Sequence, residues 1–228
     1  MGGRKGVSAL RPADRSTREA RYAYADARLL VFAKAPIPGR AKTRLAGKLG
    51  ARGAARLQAR LTRHAVTTVL SARVAPLQLW CAPSRAHAFF AACRRDFPLT
   101  LYTQHGADLG RRMQAALACA LRDSSYAVLI GSDCPSLTPD VLHDAFRALH
   151  SGSDVVLVPA LDGGYVLIGV RRSAARLFQG VEWGSAKVLA QTRQRLRQMG
   201  LNWVELSALA DVDRPEDIRG LNLRASAV

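Results

Sequence analysis

From Leu29 onward, short apolar runs alternate with longer amphipathic stretches. The short runs, at 29–33, 77–81, 99–103, 127–130, 154–159, 165–170 and 202–206, have the length and composition of strands. The longer stretches, at about 51–71, 84–94, 108–122, 138–149 and 184–199, read as helices. Such alternation is the signature of βα units around a mainly parallel sheet. Two helices are well punctuated: Thr138 before Pro139 offers an N-cap with proline in the first turn, and Gly200 closes the helix that begins near Gly184. No internal repeat or linker interrupts the pattern, so residues 28–228 are expected to form a single domain.

Residues 1–27 lie outside this pattern. They are rich in Arg, Ala, Gly and Ser, have no apolar periodicity, and contain no stretch that could form a signal-peptide core. A disordered or loosely attached basic tail is the expectation, and Asp14, Glu19 and Asp26 speak against a transit sequence. The longest apolar runs are far shorter than the roughly 20 residues that span a bilayer, so no membrane span is expected. Cys81, Cys93, Cys119 and Cys134 form neither a C-x-x-C pair nor a zinc-site spacing, which points to free thiols and a cytoplasmic setting. The formal net charge is +17. Because the arginines are scattered from end to end, most of that charge reads as solvated helix faces; attraction to phosphate-bearing partners is the other reading, and nucleic acid is not required by it.

Chemistry concentrates at strand ends. The first strand runs into Lys34-Ala35-Pro36-Ile37-Pro38-Gly39-Arg40-Ala41-Lys42-Thr43-Arg44-Leu45. Two prolines and a glycine delay the next helix, leaving a fixed loop at the carboxyl end of a strand, where open α/β sheets bind ligands. Its cations and backbone N–H groups suit a di- or triphosphate, or else a solvated turn; it is not a Walker A loop. Asp133 follows the apolar run at 127–130 within Gly131-Ser132-Asp133-Cys134-Pro135, and is the leading ligand for Mg²⁺ or Mn²⁺, with a turn or N-cap aspartate as the alternative. Asp162-Gly163-Gly164-Tyr165 is either a plain hairpin or a turn that brings a general base to the same cleft. Asp211-Val212-Asp213-Arg214-Pro215-Glu216-Asp217 taken alone reads as helix capping.

Taken together with Gly106-Ala107-Asp108-Leu109-Gly110-Arg111-Arg112-Met113 and Glu182-Trp183-Gly184, the order and spacing of these segments over residues 29–222 resemble a family of small bacterial proteins. That family was known first as a domain of unknown function and later labelled as arsenosugar-biosynthesis-type glycosyltransferases. The resemblance implies the glycosyltransferase-A, or nucleotide-diphospho-sugar transferase, fold: a Rossmann-like, mixed, mostly parallel sheet with helices on both faces. It implies that Lys34, Lys42 and Arg44 hold a diphosphate, with Gly39, Asp108, Arg112 and Ser132 completing the nucleotide site. Asp133 and a second ligand, Asp213, would hold Mg²⁺ or Mn²⁺. Asp162, with Lys34 and Arg44, would be catalytic, and Gly163, Gly164, Tyr165 and Trp183 would face the acceptor. The sequence departs from the pattern in two places: Asp133 has no D-x-D partner, and Gly184-Ser185-Ala186-Lys187 stands where Ser or Thr followed by Pro is expected.

Three functions follow from this reading. Glycosyl transfer from a nucleotide-diphosphate sugar to a small-molecule acceptor comes first. Nucleotidyl transfer from a nucleoside triphosphate to a sugar phosphate, with release of pyrophosphate, is favoured by the lone aspartate after the fourth strand. A nucleic-acid-binding or regulatory module with a vestigial site is the third.

Overall fold

Nearly every residue of the central strands is apolar because both faces of the sheet are covered, and the pleat sends alternate residues to two different cores. Along β1 (Ala27–Lys34), Leu29, Val31 and Ala33 enter one core while Leu30 and Phe32 enter the other. In β4 (Tyr126–Gly131), Val128 and Ile130 join the first core and Ala127 and Leu129 the second. The computed structural model describes residues 21–173 and 175–218.

Between them run β2 (Leu77–Ala82) and β3 (Thr100–Thr103), and β5 (Val155–Pro159), β6 (Tyr165–Val170) and β7 (Trp203–Glu205) follow. They form one seven-stranded sheet in the order β3-β2-β1-β4-β6-β5-β7, with β6 antiparallel to both of its neighbours and every other pairing parallel. The expected mixed, mostly parallel α/β fold with helices on both faces is therefore present. Helices α1 (Ala46–Ala72), α2 (Ala88–Asp96) and α4 (Pro139–His150) supply side chains to the first core, and α3 (Leu109–Ala120) and α5 (Val188–Gln198) to the second. In α4 the buried residues are Leu142, Ala145, Phe146 and Leu149, the i, i+3, i+4, i+7 stripe of an amphipathic helix.

Boundaries shift for local reasons. Helix α1 starts earlier than the periodicity predicts and is broken at Gly50, whose φ of 68° no helix accommodates. Helix α5 starts later, since residues after Glu182 form a turn in which Ser185 N–H donates to the Glu182 carbonyl. Thr138 caps α4 as expected, accepting from Val141 N–H. Residues 1–20 of the predicted tail lie outside the described residues. From residue 21 the chain is docked: Ala23 and Tyr24 N–H donate to the carbonyls of Arg73 and Val74, and the Tyr24 ring stacks on Phe146 at 5.5 Å.

A third, smaller apolar cluster positions the site. Leu45, Ala54, Leu57 and Leu61 enclose Val212, which is 3% exposed. This peg fixes the acidic turn near the chain end against the start of α1 and the loop after β1.

Candidate functional site

Strand order reverses between β1 and β4, and the carboxyl ends of these two strands open onto a cleft of about 730 Å³. Such a switch point is where open α/β sheets bind ligands. One wall is cationic: Lys34, Arg40 and Arg112 line it, and also line a side cavity of about 280 Å³ beside Gln104. Among the described residues none of these three cations is paired with a carboxylate. The Arg112 Nε donates to the Gly106 carbonyl at 3.0 Å, which aims the guanidinium without neutralising it.

The cleft lining also holds Asp133, Asp211 and Asp213, which gather around Lys42 and form its carboxylate wall. Val212 N–H donates to the Asp133 carbonyl at 2.8 Å, so the turn after β4 and the turn near the chain end are tied by backbone as well as by the apolar peg. The Lys42 Nζ donates to Asp133 Oδ2 at 2.7 Å and to the Val212 carbonyl at 2.6 Å, and stands 3.7 Å from Asp213 Oδ1. Arg44 pairs with Asp213. Lys42 was expected on the diphosphate with Lys34. Instead its ammonium lies on the carboxylate side, although it leaves β1 in the same loop.

Two carboxylates on one wall fit Mg²⁺ or Mn²⁺. Magnesium in particular is usually held by one or two carboxylates, with waters and substrate phosphates completing its shell. Among the described residues no group of three or more His, Cys, Asp or Glu side chains forms a ready-made cage. Asp133 and Asp213 are therefore the donors available for an ion that shares its shell with phosphate.

The other predicted site residues are placed as follows. Ser132 is buried at the cleft floor, its hydroxyl accepting from Gln58 Nε2 at 3.2 Å; that amide also donates to Thr62. Asp108 caps α3, accepting from Arg111 N–H at 2.8 Å, while still lining the cleft. Gly39 has φ 76° at the loop's turn. Asp162 does close a β5–β6 hairpin, where its Oδ1 accepts from Gly164 N–H at 2.9 Å; it is exposed and stands outside the cleft lining. Gly163, at φ 92°, is pressed onto the Ala186 carbonyl, where a Cβ would overlap. Tyr165 presents its ring to the cleft, but its hydroxyl is buried toward Thr192 without a hydrogen bond, and burial pushes its pKa up. Trp183 meets that ring edge-on at 6.4 Å and packs against Gly110, so it braces the wall from behind.

Sequence reasoning passed over Gln104, Gln58 and Asp211. Gln104 follows β3 directly, and its Nε2 donates to the Trp80 carbonyl at 2.9 Å. Asp211 lay within the quoted acidic turn and lines the cleft half-buried; burial first, then the nearby Asp162 and Asp133 carboxylates, raise its pKa. The four cysteines are free, and burial pushes Cys81 up to about 12 and Cys93 to about 11. No helix among the described residues is long and apolar enough to cross a membrane.

Residues 65–185 match the family model described as "Uncharacterized protein conserved in bacteria (DUF2064)". No curated protein matches the chain. Among solved structures, a provisionally named nucleotide-diphospho-sugar transferase from Desulfovibrio desulfuricans G20 is 29% identical, with TM-score 0.78 over 89% of this chain and 90% of its own. CMP:2-keto-3-deoxy-manno-octonic acid synthetase complexed with CTP is 12% identical, with TM-score 0.56 over 86% of this chain and 96% of its own. Rv0371C of Mycobacterium tuberculosis H37Rv, in complex with manganese, is 14% identical, with TM-score 0.51 over 86% and 97%. The last two likenesses establish a shared fold.

Proposed function

The chain belongs to the bacterial DUF2064 family, and from that premise we propose that it is a metal-dependent transferase using a nucleotide-activated donor. The first form of the reaction is glycosyl transfer from a nucleotide-diphosphate sugar to a small-molecule acceptor. The observation that carries it is the division of one cleft into a wall of uncompensated cations, Lys34, Arg40 and Arg112, and a wall of carboxylates, Asp133 and Asp213. A diphosphate answers the first wall, and a divalent cation shared with its oxygens answers the second.

Asp133 and Asp213 would hold Mg²⁺ or Mn²⁺, which when bound supplies Lewis-acid stabilisation of the leaving phosphate. Lys34, Arg40 and Arg112 bind and orient the diphosphate, and their fixed positive charge favours its departure. The acceptor oxygen attacks the anomeric carbon, the bond from that carbon to the diphosphate breaks, and the acceptor proton passes to the carboxylate of Asp211, which lines the cleft. Burial and its neighbours already raise the proton affinity of Asp211. Tyr165, braced by Trp183, walls the acceptor side.

Nucleotidyl transfer is the second reading, favoured by the lone aspartate after β4 and by the fold shared with a CTP-complexed synthetase. There a sugar-phosphate oxygen attacks the α-phosphorus and pyrophosphate leaves. The product separates the two: nucleoside diphosphate for the first, pyrophosphate for the second.

The test is a thermal-shift screen of wild type and Asp133→Ala against nucleoside triphosphates, diphosphates and nucleotide sugars, each with Mn²⁺, Mg²⁺ or chelator. A ligand at 100 times its dissociation constant stabilises by about 2.7 kcal/mol, roughly 5–10 °C for a chain of this size. A metal-dependent shift that Asp133→Ala abolishes supports the proposal. No shift with any nucleotide, together with salt-sensitive RNA or DNA binding that ignores Asp133→Ala, would overturn it in favour of a nucleic-acid-binding module.

A further inference from the structure

Lys42 is held more tightly than a phosphate ligand waiting for substrate would be. Its side chain is only 4% exposed, whereas those of Asp133 and Asp213 are 42% and 36% exposed. Three oxygens surround its Nζ: Asp133 Oδ2 at 2.7 Å, the Val212 carbonyl at 2.6 Å and Asp213 Oδ1 at 3.7 Å. They come from the turn after β4 and from the acidic turn near the chain end, which meet only in the folded protein. The lysine reaches them from a backbone in the left-handed region, φ 47° and ψ 48°, a conformation that costs any residue with a Cβ. Two residues on, Arg44 holds the outer side of Asp213.

We propose that Lys42 is an internal counter-cation that fills the metal position of the free protein, so that its ammonium and a divalent cation exclude one another between Asp133 and Asp213. The proposal rests on the metal-dependent reading above. Asp133 Oδ2 and Asp213 Oδ1 face the ammonium, and a 2+ ion and an ammonium a few ångströms apart repel strongly at a partly desolvated site. Entry of the ion therefore turns the ammonium out. The four-carbon stem of lysine lets it swing into the cleft, whose phosphate side already carries Lys34. Lys42 thus has two partners in succession: the carboxylates without metal, and the leaving phosphate with it. Metal and nucleotide then bind with positive coupling, because phosphate gives the displaced ammonium a new partner.

Mn²⁺ binding to the full chain without nucleotide, followed by electron paramagnetic resonance, tests this on wild type, Lys42→Met, Lys42→Arg and Asp133→Asn. Losing one charge-assisted competitor should tighten Mn²⁺ binding in Lys42→Met about tenfold or more, while Lys42→Arg, which keeps the cation, stays within about twofold of wild type. Equal or weaker binding by Lys42→Met, with Asp133→Asn still abolishing it, overturns the role of Lys42 and leaves the metal reading standing. Absence of Mn²⁺ binding in every protein overturns both. Acetylation of lysine amines in the unaltered wild type, read by peptide mass spectrometry, avoids dependence on a variant's folding. Saturating Mn²⁺ should raise labelling at Lys42 several-fold, and unchanged labelling with Mn²⁺ bound would refute the exchange.

Discussion

Lys34 and Lys42 leave the same strand in the same loop, yet they stand in opposite electrostatic states. Lys34, with Arg40 and Arg112, faces the cleft with no carboxylate partner among the described residues. Lys42, with Arg44, is compensated by Asp133 and Asp213. The difference arises from the other chain segments that fold against the loop. Arg112 on α3 adds charge to one side, and the Val212 peg brings carboxylates to the other. A cation left unpaired in a cleft is available to an anion, whereas a paired one is available only when something replaces it. On the proposed function, the unpaired cations would take the phosphate and the carboxylates the metal.

The largest effect is expected from Asp133→Ala, which removes the central carboxylate. If the cation stabilises the leaving group by several kcal/mol, turnover should fall about 10³-fold and Mn²⁺-dependent stabilisation should vanish, as measured by initial rates and thermal shift. Next is Gly163→Ala in the hairpin behind the carboxylate wall, where a Cβ meets the Ala186 carbonyl and φ is 92°. Strain and overlap should cost about 2–3 kcal/mol, seen in calorimetry as a melting point lower by roughly 4–12 °C. Lys34→Ala should weaken nucleotide binding about tenfold, more at low salt, and leave Mn²⁺ binding unchanged in isothermal titration. A loss of Mn²⁺ affinity in that variant would show that the walls do not act separately.

The smallest effect concerns Asp211. Its pKa is raised on folding, so the folded protein keeps this proton to higher pH than the unfolded chain does. Its contribution is therefore fully present below about pH 4, the ordinary aspartate value, and is lost as pH rises through the raised value. Asp211→Asn, which does not titrate, should show a flatter melting-temperature profile above pH 4 than wild type.

Much of the fold was legible because the signals are local. The period-two packing of β1 into two cores and the stripe of α4 are written in consecutive residues, and Thr138 and Gly200 mark ends by their own backbone preferences. The β5–β6 hairpin was legible from Asp162-Gly163-Gly164, but the placement of its carboxylate was not: Asp162 accepts from Gly164 N–H and stands outside the cleft lining. Gln58 was invisible for the opposite reason. It sits on a helix face like any other polar residue, and only its approach to Ser132, 74 positions away, gives it a role.

The elements, the two-sided burial of the strands, and the chemical types gathered at the strand ends follow from local sequence, because they depend on side chains within a few residues of one another. Tertiary structure decided how the charges were shared. Whether a lysine faces open cleft or a carboxylate depends on contacts across the chain, such as Lys42 with Asp133 and with Val212, 91 and 170 positions away. Electrostatic energy falls off with distance in space and takes no account of distance along the chain. The pairing that separates free cations from compensated ones exists only once the Val212 peg has closed the acidic turn onto the loop after β1.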